Sequence, residues 1–390
     1  MPSGSLFQSF FLAGFECASQ KRRDGRRLDL VVATHHDRLA EEDYRQALAH
    51  GLKTARDGLR WHRIERLPGR YDWSSFLPTL HAAHRTGVQV VWDLCHYGYP
   101  DGVDIWGAAF VDRFARFAAA AARLVREETG APPMLAPLNE ISYWAWAGGD
   151  KGRFAPSARR RGDELKRQLA RAAIAAAEAI RAVEPEARIV HTDPVIRVTG
   201  KTRRPHEVEA ARAHHEARYQ AWDMIAGRLA PELGGRPEHL DVLGLNFYPD
   251  NQWFHGGATI PFGHHLYWPF RRMLAEVHGR YGRPLFVAET GAEGSSRAAW
   301  LTYVAGEVRA ARQVGVPVEG ICLYPLLDYP GWEDERHCEV GLFGLPGPDG
   351  ARPVHAELAQ ELRRQQRLLD QPPRGAAQQA ALLHLVERTG

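Results

Sequence analysis

The feature that most constrains this chain is a repeated alternation of a short apolar run with a longer helical pattern. Apolar runs at 10–15, 52–61, 88–96, 133–139, 188–191, 242–247, 285–289 and 321–324 read as strands. Helical periodicity occupies 41–50, 75–86, 110–128, 164–183, 207–229, 267–278, 298–314 and 355–369. Short apolar runs bounded by turn formers suit strands buried on both faces, as in a parallel sheet. Eight such units in order predict an α/β fold closed into a single (β/α)₈ barrel, the TIM barrel. A barrel of this kind takes about 200 to over 400 residues. One catalytic barrel is therefore expected over 1–370, with 371–390 as a C-terminal tail in which 378–385 reads as a short helix.

The charges nearly cancel, at 50 Lys and Arg against 47 Asp and Glu, and the basic residues are spread over surface-helix patterns. That argues against a nucleic-acid or membrane partner. Residues 6–15 are apolar, but no basic segment precedes them and Glu16 follows directly, so they read as a first strand and not as an export signal. Cys17, Cys95, Cys322 and Cys338 share no CxxC spacing, and four cysteines are too few for a disulfide framework at this length. Buried thiols in a reducing, cytoplasmic compartment are expected. The pairs His35–His36, His214–His215 and His264–His265 show no metal-ligand spacing, so neither a metal nor an organic cofactor is expected. Oligomeric state is not legible.

In a barrel, polar residues at the carboxyl ends of the strands converge on one mouth. The tips offer Arg56 or Arg60 on the second strand, His96 on the third, Asn139 and Glu140 on the fourth, Asn246 and Tyr248 on the sixth, Glu289 on the seventh and Tyr324 on the eighth. A lone glutamate after a strand is usually a helix cap or a surface charge. Two glutamates, each closing a buried strand, form the pair that glycoside hydrolysis requires. Eleven tryptophans suit stacking on sugar faces, and Trp144, Trp146, Trp253, Trp268 and Trp332 follow strands. Trp144 and Trp146 are further expected to make the surroundings of Glu140 apolar.

Taken together, these motifs resemble a clan A glycoside hydrolase, closest to the family 1 β-glycosidases. Phe11-Leu12-Ala13-Gly14 with Ala18-Ser19-Gln20 is similar to that family's opening strand and sugar-binding Gln, one residue short in spacing. Arg56 with Trp61-His62-Arg63-Ile64 and Leu94-Cys95-His96-Tyr97-Gly98-Tyr99-Pro100 resemble its second and third strands. Leu138-Asn139-Glu140 resembles the acid/base motif and Gly244-Leu245-Asn246-Phe247-Tyr248 the sixth strand. Ala288-Glu289-Thr290-Gly291 resembles the nucleophile motif, and Leu326-Leu327-Asp328 with Trp332 the segment after the eighth strand. The departures are Pro137, Ile141 and Thr290 beside the glutamates, and Gly98 and Gly331 where the family has acidic side chains at the far end of the sugar pocket.

The resemblance implies a retaining, exo-acting β-glycosidase without cofactor, acting on a small-molecule or oligosaccharide β-glycoside. Glu289 is the expected nucleophile and Glu140 the acid/base, with carboxyls about 5 to 5.5 Å apart. Arg56 and Tyr248 are expected to hold Glu289 ionised, and Asn139 to meet the sugar 2-hydroxyl. Gln20, His96, Asn246, Tyr324, Trp332 and Trp144 complete the expected binding set. Weak discrimination at the 4- and 6-hydroxyls follows from Gly98 and Gly331 unless Glu333, Asp334 or Glu335 reaches in. An endo-acting or transglycosylating enzyme, or a carbohydrate-binding barrel without activity, are the other readings.

Overall fold

The computed structural model describes residues 5–202 and 204–369. Eight parallel strands close a barrel in chain order: β1 (Phe11–Gly14), β2 (Thr54–Gly58), β3 (Gln89–Cys95), β4 (Met134–Leu138), β5 (Arg188–Pro194), β6 (Val242–Asn246), β7 (Leu285–Thr290) and β8 (Val318–Leu323). The ring is completed by pairing of β8 with β1 at Phe11↔Ile321 and Leu12↔Cys322. The (β/α)₈ barrel expected from the alternating pattern is the observed fold. The tail helix expected at 378–385 lies outside the described residues.

Period-two alternation divides each strand between two cores. Leu12, Val91, Met134, Ala136, Val190, Val242, Phe286 and Cys322 fill the barrel interior, and Phe7 plugs its base with its ring centroid 4.9 Å from that of Phe286. Ala13, Trp92, Leu94, Leu135, Ile189, Leu243, Leu245 and Val287 face the helices. The interior is narrow: a Cβ on Gly14 would overlap the Tyr324 ring. Helix Ala108–Thr129 shows how the outer layer seats itself, with Phe110, Phe114, Phe117, Ala121 and Val125 along one buried stripe and Gly130 ending it at φ 71°.

Three stretches depart most from expectation. Strand β5 runs on through Thr192 and Asp193 to Pro194, because both polar side chains find partners inside: Thr192 Oγ1 donates to Asn139 Oδ1 at 2.9 Å and Ser142 Oγ donates to Asp193 Oδ2 at 2.5 Å. The helix expected over 207–229 is two helices, Pro205–Glu216 and Gln220–Ile225, joined by a tighter turn at Ala217–Tyr219. After β4 the chain makes a helical turn, Ile141–Trp144, and a wide turn, Ala145–Asp150, in place of a plain loop.

The seam between the first and last units carries a buried ionic cluster. His36 on helix His36–Ala49 has Nδ1 2.8 Å from Asp43 Oδ2 and Nε2 2.8 Å from Asp57 Oδ2, and its ring stacks on Phe15 at 4.0 Å. Tyr44 donates to Asp57 at 2.6 Å, and Arg352, from the segment after β8, donates to both oxygens of Asp43. Burial opposes a charge on His36, but Asp57 and Asp43 outweigh it and lift its pKa to about 9. A pKa raised above the unfolded value gives stability that is complete below about pH 6.5 and is lost as pH rises through about 9. His36→Ala should therefore cost about 3 to 5 kcal/mol at pH 6. In urea unfolding the gap to the parent should narrow above pH 9; a gap independent of pH would contradict a charged His36.

Candidate active site

A cleft of about 1060 Å³ opens at the carboxyl ends of the strands, with Glu16, Glu140 and Glu289 on its wall. Its floor is organised by Arg56 of β2, which is fully buried. Arg56 Nε and Nη2 donate to the two oxygens of Asp93 at 3.0 and 2.6 Å, and Nη2 also donates to Asn139 Oδ1 at 2.7 Å. Its Nη1 donates to Glu289 Oε1 at 2.6 Å and to the Ala288 carbonyl at 3.3 Å. The other alternative, Arg60, sits away from the site on Asp29 and the Ser75 carbonyl.

Local backbone geometry aims the two expected glutamates. Between β6 and β7 the register slips after Leu245↔Val287, so that Asn246 pairs with Glu289. Such a bulge re-aims side chains. Here Ala288 packs inside the barrel while its neighbour Glu289 faces the cleft. Glu140 has φ 44° and ψ 64°, the left-handed region, at an expected cost of about 1 to 3 kcal/mol. This turn brings its carboxyl over the barrel mouth. It is pinned by the Glu140 N–H to the Thr192 carbonyl at 3.1 Å and by Asp193, which accepts from the Ser142 N–H at 3.0 Å.

The two carboxyls have unlike surroundings. Glu289 receives Arg56 on Oε1 and the Tyr248 hydroxyl on Oε2 at 3.0 Å. Glu140 receives Asn246 Nδ2 at 2.9 Å and the Tyr97 hydroxyl at 2.5 Å, with no cation at hydrogen-bond distance among the described residues. Burial raises the Glu140 pKa first and the neighbouring Glu289 raises it further; the Tyr97 and Asn246 hydrogen bonds pull the other way without offsetting the rise. For Asp93, burial acts against the charge, but Arg56 and His96 prevail and its pKa is lowered.

His96, Tyr248 and Tyr324 line the cleft, as does the half-buried Trp332. Gln20 lies instead on an adjoining pocket of about 590 Å³ that shares Tyr143, Arg153 and Trp332 with the cleft. Gln20 Oε1 and Trp332 Nε1 are buried polar atoms without a hydrogen-bond partner among the described residues. Four expectations need correction. Asn246 is fully buried and does not line the cleft, its Nδ2 being taken by Glu140 Oε1. Trp144 has no exposed surface, and its Nε1 donates to the Ala155 carbonyl at 2.9 Å, so it packs behind Tyr97 and cannot stack on a ligand. Asn139 is also buried and does not line the cleft: its Oδ1 accepts from Arg56 and Thr192, and its Nδ2 donates to His96 Nε2 and to the Tyr97 oxygen. Trp146, expected to make the surroundings of Glu140 apolar, lines the cleft with 37% of its surface exposed.

Gly98 and Gly331 are not simple vacancies. A Cβ on Gly98 would overlap Ser19, which takes that space, and one on Gly331 would overlap the Asp334 carboxyl. Of the acids after β8, Glu335 pairs outward with Arg22 and Arg26 at 3.2 and 2.9 Å, and Asp334 lies 3.7 Å from Arg336. Glu333 alone lines the adjoining pocket. Sequence reasoning missed Glu16, Asp93, Tyr97 and Asp193. The available signal was an acid inside or just after an apolar run. Cys17, Asp93 and His96 bring ligand-type atoms within 4.8 Å of one another, but Arg56 already takes both Asp93 oxygens, which suits a hydrogen-bond network better than a cation.

No protein-family model matches the chain, and no curated protein does. Solved structures do. The family 1 β-glucosidase from Thermotoga maritima superposes with a TM-score of 0.75 at 17% identity, over 94% of this chain and 98% of that one. The AHE enzyme from Alicyclobacillus herbarius gives 0.77 at 19% identity, over 94% and 99%. The likeness is one of fold.

Arg56→Gln should test the floor of the cleft. It leaves Asp93 and Glu289 buried without their cation, which should cost about 3 to 5 kcal/mol. Urea unfolding measures this, and a loss below about 1 kcal/mol would show that the cluster relaxes around the missing charge.

Proposed function

We propose that this chain is a retaining β-glycosidase that cleaves a β-O-glycosidic bond by double displacement, with Glu289 as nucleophile and Glu140 as acid/base. The observation that carries this reading is the unlike treatment of two carboxyls on one cleft: Glu289 meets a buried guanidinium, while Glu140 meets the neutral donors Asn246 and Tyr97 and has a raised pKa. Two carboxyls held by such unlike partners, one by a cation and one by neutral donors, suit a nucleophile and an acid. The fold likeness to Thermotoga maritima β-glucosidase, solved in complex with deoxynojirimycin and with glucoimidazole, supports the same substrate class. A binding barrel without activity has no use for a buried cation aimed at one carboxyl.

In the first step a Glu289 oxygen attacks the anomeric carbon as the bond to the aglycone oxygen breaks, and the Glu140 proton passes to that oxygen. Esterification removes the Glu289 charge, which was raising the Glu140 pKa. Glu140 is left ionised with a lower pKa, fit to act as a base. In the second step it takes a proton from water, the water oxygen attacks the anomeric carbon, and Glu289 departs as carboxylate. Arg56 and Tyr248 stabilise that carboxylate at both ends of the cycle.

An aryl 2-deoxy-2-fluoro-β-glycoside should leave a sugar on Glu289, read by peptide mass spectrometry, and Glu289→Gln should abolish turnover. Glu140→Ala should lose about 10² to 10⁴ in rate on poor leaving groups and far less on good ones. Azide should restore its turnover and yield a β-glycosyl azide. Labelling elsewhere, or equal losses on both kinds of leaving group with no azide rescue, would remove these roles.

The pH profile has a defined sign. Glu140 must be protonated to act in the first step, so kcat/KM should fall as pH rises through its raised pKa, placing the alkaline limb above the ordinary carboxylate range. The Tyr97 hydrogen bond favours the ionised form, so Tyr97→Phe should move that limb to higher pH. A shift to lower pH would show that Tyr97 does not act on Glu140 in this way.

A further inference from the structure

The cleft holds a third glutamate that this mechanism does not use. Glu16 follows β1 between Phe15 and Cys17, is buried, and lies on the cleft wall beside His96 and Tyr324. Its hydrogen bonds all fall on one oxygen: Oε1 accepts from the Ala18 N–H at 2.9 Å and from the Tyr324 hydroxyl at 3.4 Å. His96 Nε2 stands 3.7 Å from the same Oε1, beyond hydrogen-bond range. Among the described residues no hydrogen bond reaches Oε2. A capping role for one backbone N–H does not account for a carboxyl whose second oxygen keeps accessible surface on the cleft wall, where a ligand can reach it.

We propose that Glu16 is a specificity-determining residue of the sugar site, its Oε2 accepting a hydrogen bond from a ring hydroxyl of the sugar whose bond is cleaved. This rests on the β-glycosidase reading. The position around the barrel selects the sugar over the leaving group. Glu140 follows β4, and the far arm of the cleft, with Ile196, His214 and Trp253, belongs to the segments after β5 and β6. Glu16 stands on the other side, where β1 lies between β8 and β2. A sugar with its anomeric carbon at Glu289 and its leaving group toward Glu140 turns the rest of its ring toward Glu16. Position 98, two residues after His96, is closed to an acidic side chain by Ser19, so no acid from there competes for this end of the cleft. Burial raises the Glu16 pKa and Glu289 adds to the rise, while His96, the Ala18 N–H and Arg56 oppose it. A hydroxyl donor would favour the ionised, accepting form.

The test is a cycle between protein and substrate. The full chain, Glu16→Gln and Glu16→Ala are assayed on a panel of aryl β-glycosides, and the best substrate is then compared with its monodeoxy analogues. Far-ultraviolet circular dichroism and thermal melting establish that each variant is folded, and Glu16→Gln keeps an oxygen for the Ala18 N–H if Glu16→Ala does not fold. For the parent protein, one monodeoxy analogue should lose about 10- to 100-fold in kcat/KM, the worth of a hydrogen bond to a charged group. The folded variant should lose a similar factor on the full substrate and almost none on that analogue, while the other analogues stay sensitive in both. A purely structural Glu16 would lower all substrates by one common factor, and that result overturns the inference while leaving the hydrolase reading intact. A parent protein that turns over no member of the panel and takes no fluoro-sugar label overturns both.

Discussion

Arg56 is the interaction on which the floor of the cleft depends. It rises from β2 and reaches Asp93 of β3, Asn139 after β4, and Ala288 and Glu289 of β7, so one side chain ties four strands together at their carboxyl ends. A guanidinium carries five N–H donors in a fixed plane, and the acceptors lie around that plane at 2.6 to 3.3 Å. An ammonium could match the charge but not this geometry. The barrel interior changes character along its axis, from Phe7, Phe286 and Val91 at the base to Arg56 and Asp93 beneath the mouth. Burying these ions is unfavourable in isolation. Their mutual hydrogen bonds make the arrangement tenable and give Glu289 a fixed orientation.

Around that cation the remaining groups differ by what each carboxyl can reach. Asp93 and Glu289 meet the guanidinium directly. Glu140 and Glu16 meet hydroxyl, amide and backbone donors, and burial raises the pKa of each. The barrel builds this difference from neighbouring positions: Asn139, one residue before Glu140, is spent on Arg56, Thr192 and His96, which leaves Asn246 and Tyr97 to hold Glu140. The backbone strain at Glu140 is part of the same construction. Tyr97 too has a left-handed φ of 64°, so both members of the Tyr97–Glu140 hydrogen bond are held in unfavourable conformations that the buried surroundings enforce.

The barrel was legible because eight apolar runs and the helical stripes between them each obey a simple period, and none needs knowledge of the others. The tips Arg56, Glu140, Asn246, Tyr248 and Glu289 were legible for the same reason: each directly closes or interrupts such a run. Trp144 was misjudged because its position after β4 is fixed by a helical turn, Ile141–Trp144, that no periodic signal announces in so short a segment. Asn139 was placed one layer too high, since sequence order says which residue ends a strand but not whether its neighbours have already claimed its amide. Glu16 and Asp93 look like interruptions of apolar runs until their partners from other strands are in view: Arg56 for Asp93, and the Tyr324 hydroxyl, 308 positions away, for Glu16.

The ionic seam at His36 has a consequence for how the chain is made. Asp43 and Arg352 are 309 positions apart, and Gln366 likewise reaches back to the His50 carbonyl. At about 5 to 20 residues per second, a ribosome needs roughly 15 to 60 s to travel from one member of the Asp43–Arg352 pair to the other. For nearly all of that interval β1 lacks its β8 neighbour and keeps an open edge, and Asp43 waits for its guanidinium. Closure of the ring is thus a late event of synthesis, and the emerging chain spends most of its time on the ribosome as an unfinished sheet with a free strand edge of the kind that recruits chaperones or other chains.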